Sequence, residues 1–475
     1  MKKDIDTLIC RETDTIRHTM KVIGEGRKKI AFVLELHSNK IIGTVSDGDI
    51  RRALLDGLEM SDSVSKCMYT EFTYINNNNS NIQFFSAYEG INIIPVVDDD
   101  MNLLGYEENE QNYHIPVASP QFGGNELKYL TDAFLSTWIS STGEYIEKFE
   151  KMFAEYCGIK YSVATSNGTT ALHIALLALD VGVGDEVIVP DITFAATINA
   201  VLYTGATPVI VDIEEDSWCI SPDEIRKAIT TKTKAIVPVH IYGQPCDMGE
   251  IMQIANEHNI YVIEDCAEAH GAEYNGRKVG SFGHINCFSF FGNKVITTGE
   301  GGMCLTNDKA LEEKMRLYRD HGMSKERKYY HEVVGYNYRM TNLQAAIGLA
   351  QLERIEEILE WRQQLEDCYY EQLQGIDGVT LQKKDLPNRK KIVWLVSILV
   401  DSEKRENIVG ELKDKGIDIR RFFMPLSEMK IYNKYVFSNN VSRRISICGI
   451  NLPTAYDVSK QKIDLIVKEI INGLV

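Results

Sequence analysis

The sequence predicts an α/β protein built around one large sheet domain, with a small α+β module before it and a small α+β domain after it. Three observations carry this. Apolar strands alternate with helical patterns from about residue 160 to residue 290, which argues for a sheet with helices on both faces. A proline-containing connector, YHIPVASP (Tyr113 to Pro120), separates that stretch from the N-terminal part. A long helical pattern starting at Thr341 bridges to a C-terminal segment that ends in an amphipathic helix. The domain boundaries read as residues 1–112, 113–365 and 366–475.

In the first module, AFVLEL (Ala31 to Leu36) and KIIGTVSD (Lys40 to Asp47) read as two strands joined by a His37-Ser38-Asn39 turn. The charged helical stretch DIRRALLDGL follows from Asp49. Strand, turn and strand partly recur in INIIPVVDDDMNLLGY, Ile91 to Tyr106. Each half is too short to bury a core alone, so the two are expected to pack together. NNNNS, Asn76 to Ser80, reads as a polar loop between them. This module resembles a pair of CBS motifs. The resemblance implies that Ser46 and Asp49 of GTVSDGD contact the ribose or phosphate of an adenine nucleotide, a regulatory ligand. The second repeat, GYEENE (Gly105 to Glu110), lacks both the hydroxyl and the aspartate. At most one such site is left, and packing or dimerisation alone is the competing role.

Beyond the connector the expected strands are YSVAT (161–165), EVIVP (186–190), TPVIVDI (207–213), AIVPVH (235–240), YVIEDC (261–266) and NCFSF (286–290). Ser221-Pro222-Asp223-Glu224 is a capping box with proline at the first helical position. Thr341 to Gln344 opens another, and Leu343, Ile347, Ala350, Ile355 and Leu359 continue it at helical spacing as one long helix. In the last domain IVWLVSILV (392–400) reads as a strand and KIDLIVKEII (462–471) as the final helix.

Composition excludes several classes of function. A net charge of −17 argues against a nucleic-acid partner, whose binding rests on Lys and Arg neutralising phosphates. No apolar run is long enough to span a bilayer. The opening MKKDIDTLICRETD carries no signal-peptide stretch. Ten cysteines without CxxC pairs indicate neither a disulfide framework nor a zinc site. A cytoplasmic protein without a metal is expected.

The chemistry centres on CFSFFGNKVITTGEGG, Cys287 to Gly302. Lys294 follows an apolar strand, where a desolvated ammonium is costly. It becomes tolerable when the amine is tied up as an imine, and burial also lowers a lysine's pKa, which makes it nucleophilic. Gly299, Gly301 and Gly302 would let the backbone approach a ligand closely. In SNGTTALHIALLAL, Gly168 and Thr169 stand where a helix begins, a natural phosphate seat, and no GKS or GKT marks a Walker loop. Asp265 ends YVIED, where a parallel strand delivers side chains to the crevice. A carboxylate there can pair with a protonated pyridine nitrogen, although helix capping is its plainer use. Phe194 of PDITFAATINA would stack on a flat ring if its loop reaches the same crevice, and otherwise belongs to the core. Ser289 offers a further hydrogen bond to phosphate. Cys266 and His270 fall four apart but have no second pair to complete a metal site. Phosphate seat, stacking face, nitrogen partner and imine lysine are together what pyridoxal phosphate (PLP) needs.

The motifs TWISSTGEY (Thr137 to Tyr145), SNGTTALH, EDCAEAHGA, FSFFGNK, TGEGG and GYNYRMTNLQAAIG resemble those of the sugar-nucleotide aminotransferase family of fold-type I, aspartate-aminotransferase-like PLP enzymes. VHIYGQPCDM (Val239 to Met248) and FFMPLSEM (Phe422 to Met429) resemble the branch acting at C4 of nucleotide-linked 4-keto-6-deoxy sugars. The resemblance implies transfer of an amino group from L-glutamate to such a sugar, for surface polysaccharide biosynthesis. It makes Lys294 the imine base and Asp265 the ring-nitrogen partner. Gly168, Thr169 and Ser289 would hold the phosphate, Phe194 would stack, and Glu268 would lie near the phenolic oxygen. Asn337 would reach the phosphate of a neighbouring subunit, which implies a homodimer or higher homo-oligomer. Glu268 stands where many members carry Gln, and Ser427 where many carry His; both fit this branch. Relatives that dehydrate have His at the imine position, so Lys294 argues against that reaction. Competing expectations are another keto sugar or a small phosphorylated ketone as acceptor, and a nucleotide-responsive regulator with a vestigial enzyme domain.

Overall fold

The computed structural model describes residues 5–26, 28–77, 93–108 and 114–475. The chain divides into two compact units, Met1–His114 and Ile115–Val475.

In the first unit, β1 (Ile9–Arg11), α1 (Ile16–Gly26), β2 (Ile30–Leu34), β3 (Ile41–Ser46) and α2 (Asp47–Leu55) form one half. The described part of the other half is β4 (Ile75–Asn76), β5 (Ile93–Val97) and β6 (Leu103–Glu108). In each half the first strand runs parallel to the second and the second antiparallel to the third. The halves exchange a reciprocal pair of bonds, Ile41 N–H to the Met101 carbonyl (3.0 Å) and Leu103 N–H to the Asn39 carbonyl (2.9 Å). Leu8, Phe32, Leu34 and Ile41 pack with Ile93, Val97, Leu103 and Tyr106. Two halves too small to fold alone thereby share one core. The NNNNS loop beyond Asn77 and GYEENE beyond Glu108 lie outside the described residues.

Ser46 and Asp49 have a local explanation. Ser46 caps α2, its hydroxyl accepting from the Asp49 N–H at 3.3 Å, while Asp49 accepts from the Ser46 N–H and hydroxyl at 2.8 and 2.7 Å. Arg52 adds an ion pair at 2.6 Å. Burial pushes the Asp49 carboxyl up, but the bonds from Ser46 and Arg52 outweigh it and hold it below the usual range. Both side chains are spent on the cap. Ser46→Ala is therefore expected to destabilise this unit by ~1 kcal/mol, read from amide exchange of β2 and β3 in the full chain; unchanged protection would mean the cap carries nothing.

The second unit contains α3 (Glu126–Leu135), α4 (Glu144–Cys157), β7 (Tyr161–Thr165), α5 (Gly168–Ala178), β8 (Glu186–Pro190), α6 (Ala196–Tyr203) and β9 (Thr207–Val211). It continues through α7 (Pro222–Ala228), β10 (Thr233–Ile236), α8 (Met248–His258), β11 (Tyr261–Asp265), the hairpin β12 (Glu273–Tyr274) and β13 (Arg277–Lys278), β14 (Ile285–Ser289), β15 (Gly302–Thr306) and α9 (Lys309–Arg319). Seven strands form one sheet in the order β7-β15-β14-β11-β10-β8-β9, in which β15 runs against the other six. Successive strand residues go to opposite cores. Val187, Val189 and Ile263 pack under α5 and α6, whereas Ile188 and Val262 pack under α4 and α8. Both faces are covered, which is why these strands are apolar throughout.

Two local expectations change. β15 is a strand, and its glycine serves the protein's own packing: a side chain on Gly302 would put its Cβ 2.3 Å from the Asn167 carbonyl oxygen. The helix from Thr341 is two helices, α10 (Asn342–Leu352) and α11 (Ile355–Leu373), although the Thr341–Gln344 capping box forms. The break at Arg354 lets α10 pack on α3 and α4 while α11 turns to the C-terminal layer. There β16 (Val379–Leu381), β17 (Arg389–Lys390), β18 (Val396–Val400), α12 (Arg405–Asp414), β19 (Arg420–Arg421), α13 (Asn440–Cys448), β20 (Gly449–Leu452) and α14 (Lys460–Leu474) complete the chain. β16, β18, β20 and β19 make a four-stranded antiparallel sheet. Among the described residues, no helix is long and apolar enough to cross a membrane.

Candidate active site

The site forms where β14, β11 and β8 end and α5 begins. Asp265 at the end of β11 pairs in register with Cys287 of β14, two residues before Ser289. Ser289 faces Gly168 so closely that a Cβ on Gly168 would lie 2.8 Å from the serine's Cβ. Gly168 and Thr169 open α5, and Asn167 caps it by accepting from the Thr170 N–H at 2.9 Å. The first-turn amides of Gly168 and Thr169 precede that capped one and have no intrahelical acceptor, which with the Ser289 hydroxyl close by is the donor set an anion needs.

Lys294 lies in the β14–β15 connection, not on the strand itself, in a turn closed by its N–H to the Phe291 carbonyl at 2.9 Å. Its side chain is only 12% exposed. Nζ stands 3.5 Å from Glu268 Oε1 and 4.0 Å from the centre of the Trp394 ring. Burial holds this amine below the usual lysine range, against the pull of Glu268 and Asp265. The other Glu268 oxygen accepts from the Tyr242 N–H at 2.9 Å. Tyr242 has left-handed backbone, φ 51° and ψ 29°, a strained conformation for a tyrosine that aims its N–H at the carboxylate.

Asp265 is buried, and desolvation raises its carboxyl above the usual range. Oδ2 accepts from the Thr197 hydroxyl at 2.8 Å and Oδ1 from the Ala267 N–H at 3.1 Å. Thr197 is in turn 2.9 Å from Thr193, in the loop that carries Phe194. Phe194 is 62% exposed, so it is not a core residue. It begins a row of rings: Phe194 to Phe423 at 6.0 Å, Phe423 to Tyr242 at 5.6 Å, and Tyr242 to Trp394 at 6.2 Å. Asn337 is exposed, with no side-chain partner among the described residues. Its neighbour Tyr338 accepts from the Ser166 N–H at 2.8 Å, just ahead of the α5 seat.

Behind the site, His240 Nε2 donates to Glu264 at 2.9 Å, and Glu264 also accepts from the amides of Gly280, Phe282 and Gly283. Burial pushes the Glu264 carboxyl up, but His240 and these amides more than offset it. The His240 N–H bonds the Asp265 carbonyl at 3.1 Å, fixing the strand end. Cys266 lies within 4.8 Å of the ligand atoms of this pair, and His270 is not part of the cluster. Both His240 nitrogens are already used, Nδ1 by the Cys246 N–H at 3.0 Å. His270 is packed among Phe153, Phe288 and Phe290, and burial lowers its pKa to about 3.

Trp394, Tyr242, Thr197 and the His240–Glu264 pair were not singled out as site residues by sequence reasoning. Trp394 sits in an apolar run that reads as an ordinary strand, and Thr197 in a helix start without polar pattern. His240 and Tyr242 fall within VHIYGQPCDM and Glu264 opens EDCAEAHGA, so the motifs held them without marking their roles.

Glu268 gives a pH prediction. Burial raises its carboxyl to about 7, partly opposed by Lys294. The folded chain then keeps a proton that the unfolded chain loses near pH 4.3, so ionising Glu268 costs stability as pH rises through that interval. Glu268→Gln should flatten the fall in stability between about pH 4.5 and 7, by up to ~3 kcal/mol. Urea denaturation across that range checks it, and parallel curves for both proteins would contradict it.

A buried amine beside a carboxylate, an acid at a strand end, an exposed ring and a helix-start anion seat fit the groups of pyridoxal phosphate. The DegT/DnrJ/EryC1/StrS aminotransferase family matches residues 120–471. GDP-perosamine synthase of Escherichia coli O157:H7 is 46% identical over 358 residues, 75% of this chain and 98% of that protein. The GDP-perosamine synthase of Caulobacter vibrioides is 44% identical, over 76% of this chain and 98% of that protein. Among solved structures, an aminotransferase from Psychrobacter cryohalolentis superposes with a TM-score of 0.71 at 35% identity, covering 74% of this chain and 97% of that one. The PLP form of a putative sugar aminotransferase from Streptococcus pneumoniae gives 0.72 at 28% identity, covering 76% and 99%. The chain belongs to the DegT/DnrJ/EryC1/StrS aminotransferase family and is a pyridoxal-phosphate-dependent sugar aminotransferase.

Proposed function

We propose that this enzyme moves the amino group of L-glutamate to C4 of a GDP-linked 4-keto-6-deoxy sugar, giving a perosamine-type product for surface polysaccharide. The observation that carries it is the 46% identity to a GDP-perosamine synthase over 98% of that protein. In this reading Lys294 holds the cofactor covalently, Asp265 faces its ring nitrogen, and Phe194 stacks on the ring. Gly168, Thr169 and Ser289 take the phosphate, and Glu268 stands by the ring oxygen. When bound, pyridoxal phosphate supplies an electron sink and a carrier for the amine.

The chain's own residues do the rest. Lys294 Nζ, freed as an amine, would take the proton from the donor's α-carbon and deliver it to C4′ of the cofactor, as a positioned base must. Glu268 holds or releases a proton near neutral pH beside it. Asp265, desolvated and clamped by Thr197 and Ala267, is arranged to favour a facing cation. The enzyme works in the cytoplasm, which ten unpaired cysteines suit. It acts as a homodimer or larger assembly in which Asn337 reaches the neighbour's phosphate. Supporting that, Asn337 is exposed, and Leu127, Phe134, Leu135, Trp138 and Ile139 are also exposed on and after α3. In this reading the chain works as three parts, residues 1–112, 113–365 and 366–475. Nucleotide sensing by the first unit draws no support from Ser46 and Asp49, which the α2 cap already explains.

The expected result is a PLP-like absorbance that bleaches on adding L-glutamate, followed by an amino-sugar mass when GDP-4-keto-6-deoxymannose is supplied. Bleaching without that product, but with product from another nucleotide keto-sugar, would move the acceptor. No bleaching at all would overturn the reaction.

A further inference from the structure

Lys294 lies against a ring for which neither the strand pattern nor the cofactor-holding residues account. Trp394 is 2% exposed and presents its face to Nζ at 4.0 Å. It is fixed at two points. Its Nε1–H donates to the carbonyl of Asn293, the residue before Lys294, at 2.8 Å. Its own carbonyl accepts from the buried Arg362 guanidinium at 2.9 Å. A ring held this way keeps its geometry whether or not the lysine is engaged.

Transamination requires the lysine to be released from the time the donor amine displaces it until the product leaves, and a long amine freed in a pocket has many rotamers to explore. We propose that Trp394 is the resting face of Lys294, a positioning residue that keeps the free amine beside Glu268 whenever its bond to the cofactor is open. The inference rests on the covalent role proposed for Lys294. The face of an indole attracts an ammonium through its quadrupole, and more strongly where water is excluded. Trp394 thus opposes the burial that drives the proton off. The other groups acting on this amine are Glu268 at 3.5 Å, Asp265 and the Arg420 charge; His270, which feels the amine's charge, is neutral.

The test uses the full chain stripped of cofactor, and follows the rate of covalent pyridoxal phosphate uptake against pH by absorbance. Uptake needs the unprotonated amine, so its pH midpoint reports Lys294. Trp394→Met fills the space without a π face and should lower the midpoint by about half to one unit. Trp394→Phe keeps a face but loses the bond to Asn293, and should stay closer to the wild type. A Met variant with the wild-type midpoint, or Phe and Met variants shifted equally, overturns the inference. Wild-type chain that takes up no cofactor covalently would instead overturn the role of Lys294 itself. Should Trp394→Met fail to fold, indole emission of the stripped wild-type chain is titrated beside Lys294→Met. A step present in the first and missing in the second supports the contact; the same titration in both overturns it.

Discussion

Lys294→Ala is expected to bind pyridoxal phosphate reversibly and to lose turnover about a thousandfold or more, the scale of a lost positioned base together with a lost covalent anchor. The expectation follows from where the amine stands. With its side chain 12% exposed, it is desolvated enough for burial to hold its pKa below the ordinary range, so more of it is nucleophilic at neutral pH than of a surface lysine. Glu268 and the Trp394 ring both contact it, at 3.5 and 4.0 Å. Lys294→Arg separates charge from chemistry. Arginine would keep a cation near Glu268 but stays protonated and forms no such bond, so it should lose as much as alanine. Turnover of either variant at the wild-type rate, or borohydride fixing the cofactor to the alanine variant, would remove Lys294 from the reaction.

The alternation of strands and helices was legible because strands covered on both faces are apolar throughout and the helices between them carry caps. YSVAT and EVIVP became β7 and β8 residue for residue, and YVIEDC became β11 without its last residue. β15 was not legible, because GMCLT follows a glycine cluster whose ligand-loop reading hid that Gly302 packs against Asn167. The bend at Arg354 was hidden for the opposite reason. Helical spacing of Leu343, Ile347, Ile355 and Leu359 runs across it, and only packing on two different layers separates α10 from α11. In the site, groups at strand ends could be anticipated, since parallel strands deliver them to one crevice. Those that approach from elsewhere could not. Tyr242 reaches Glu268 through its backbone, and Trp394 arrives from the C-terminal layer, exactly 100 residues after Lys294.

Asp265→Asn should separate catalysis from stability in opposite directions. The loss of a fixed charge aimed at a cationic ring nitrogen is worth about 3 kcal/mol or more in the transition state, a fall of roughly a hundredfold or more in kcat/KM. Asparagine keeps the shape, its one carbonyl oxygen can still accept from the Ala267 N–H, and its amide nitrogen can donate to a Thr197 hydroxyl whose own hydrogen turns to Thr193, so geometry alone would not explain that fall. Without cofactor the carboxylate is an acid driven upward in pKa by desolvation, which means its ionised form costs the folded chain. By linkage, a raised carboxyl contributes its stability while protonated and loses it as pH rises from the unfolded value through the folded one. The cofactor-free Asp265→Asn chain should therefore be no less stable than the wild type at pH 7, and flatter in its stability against pH. Adding pyridoxal phosphate should raise the wild-type Tm more than the variant's, because only the wild type gains an ion pair from binding. A residue serving merely to cap the turn after β11 would behave otherwise, with stability lost in the absence of cofactor and both proteins gaining equally from its binding. That pattern, with kcat/KM little changed, would return Asp265 to the structural role that its hydrogen bonds alone would suggest.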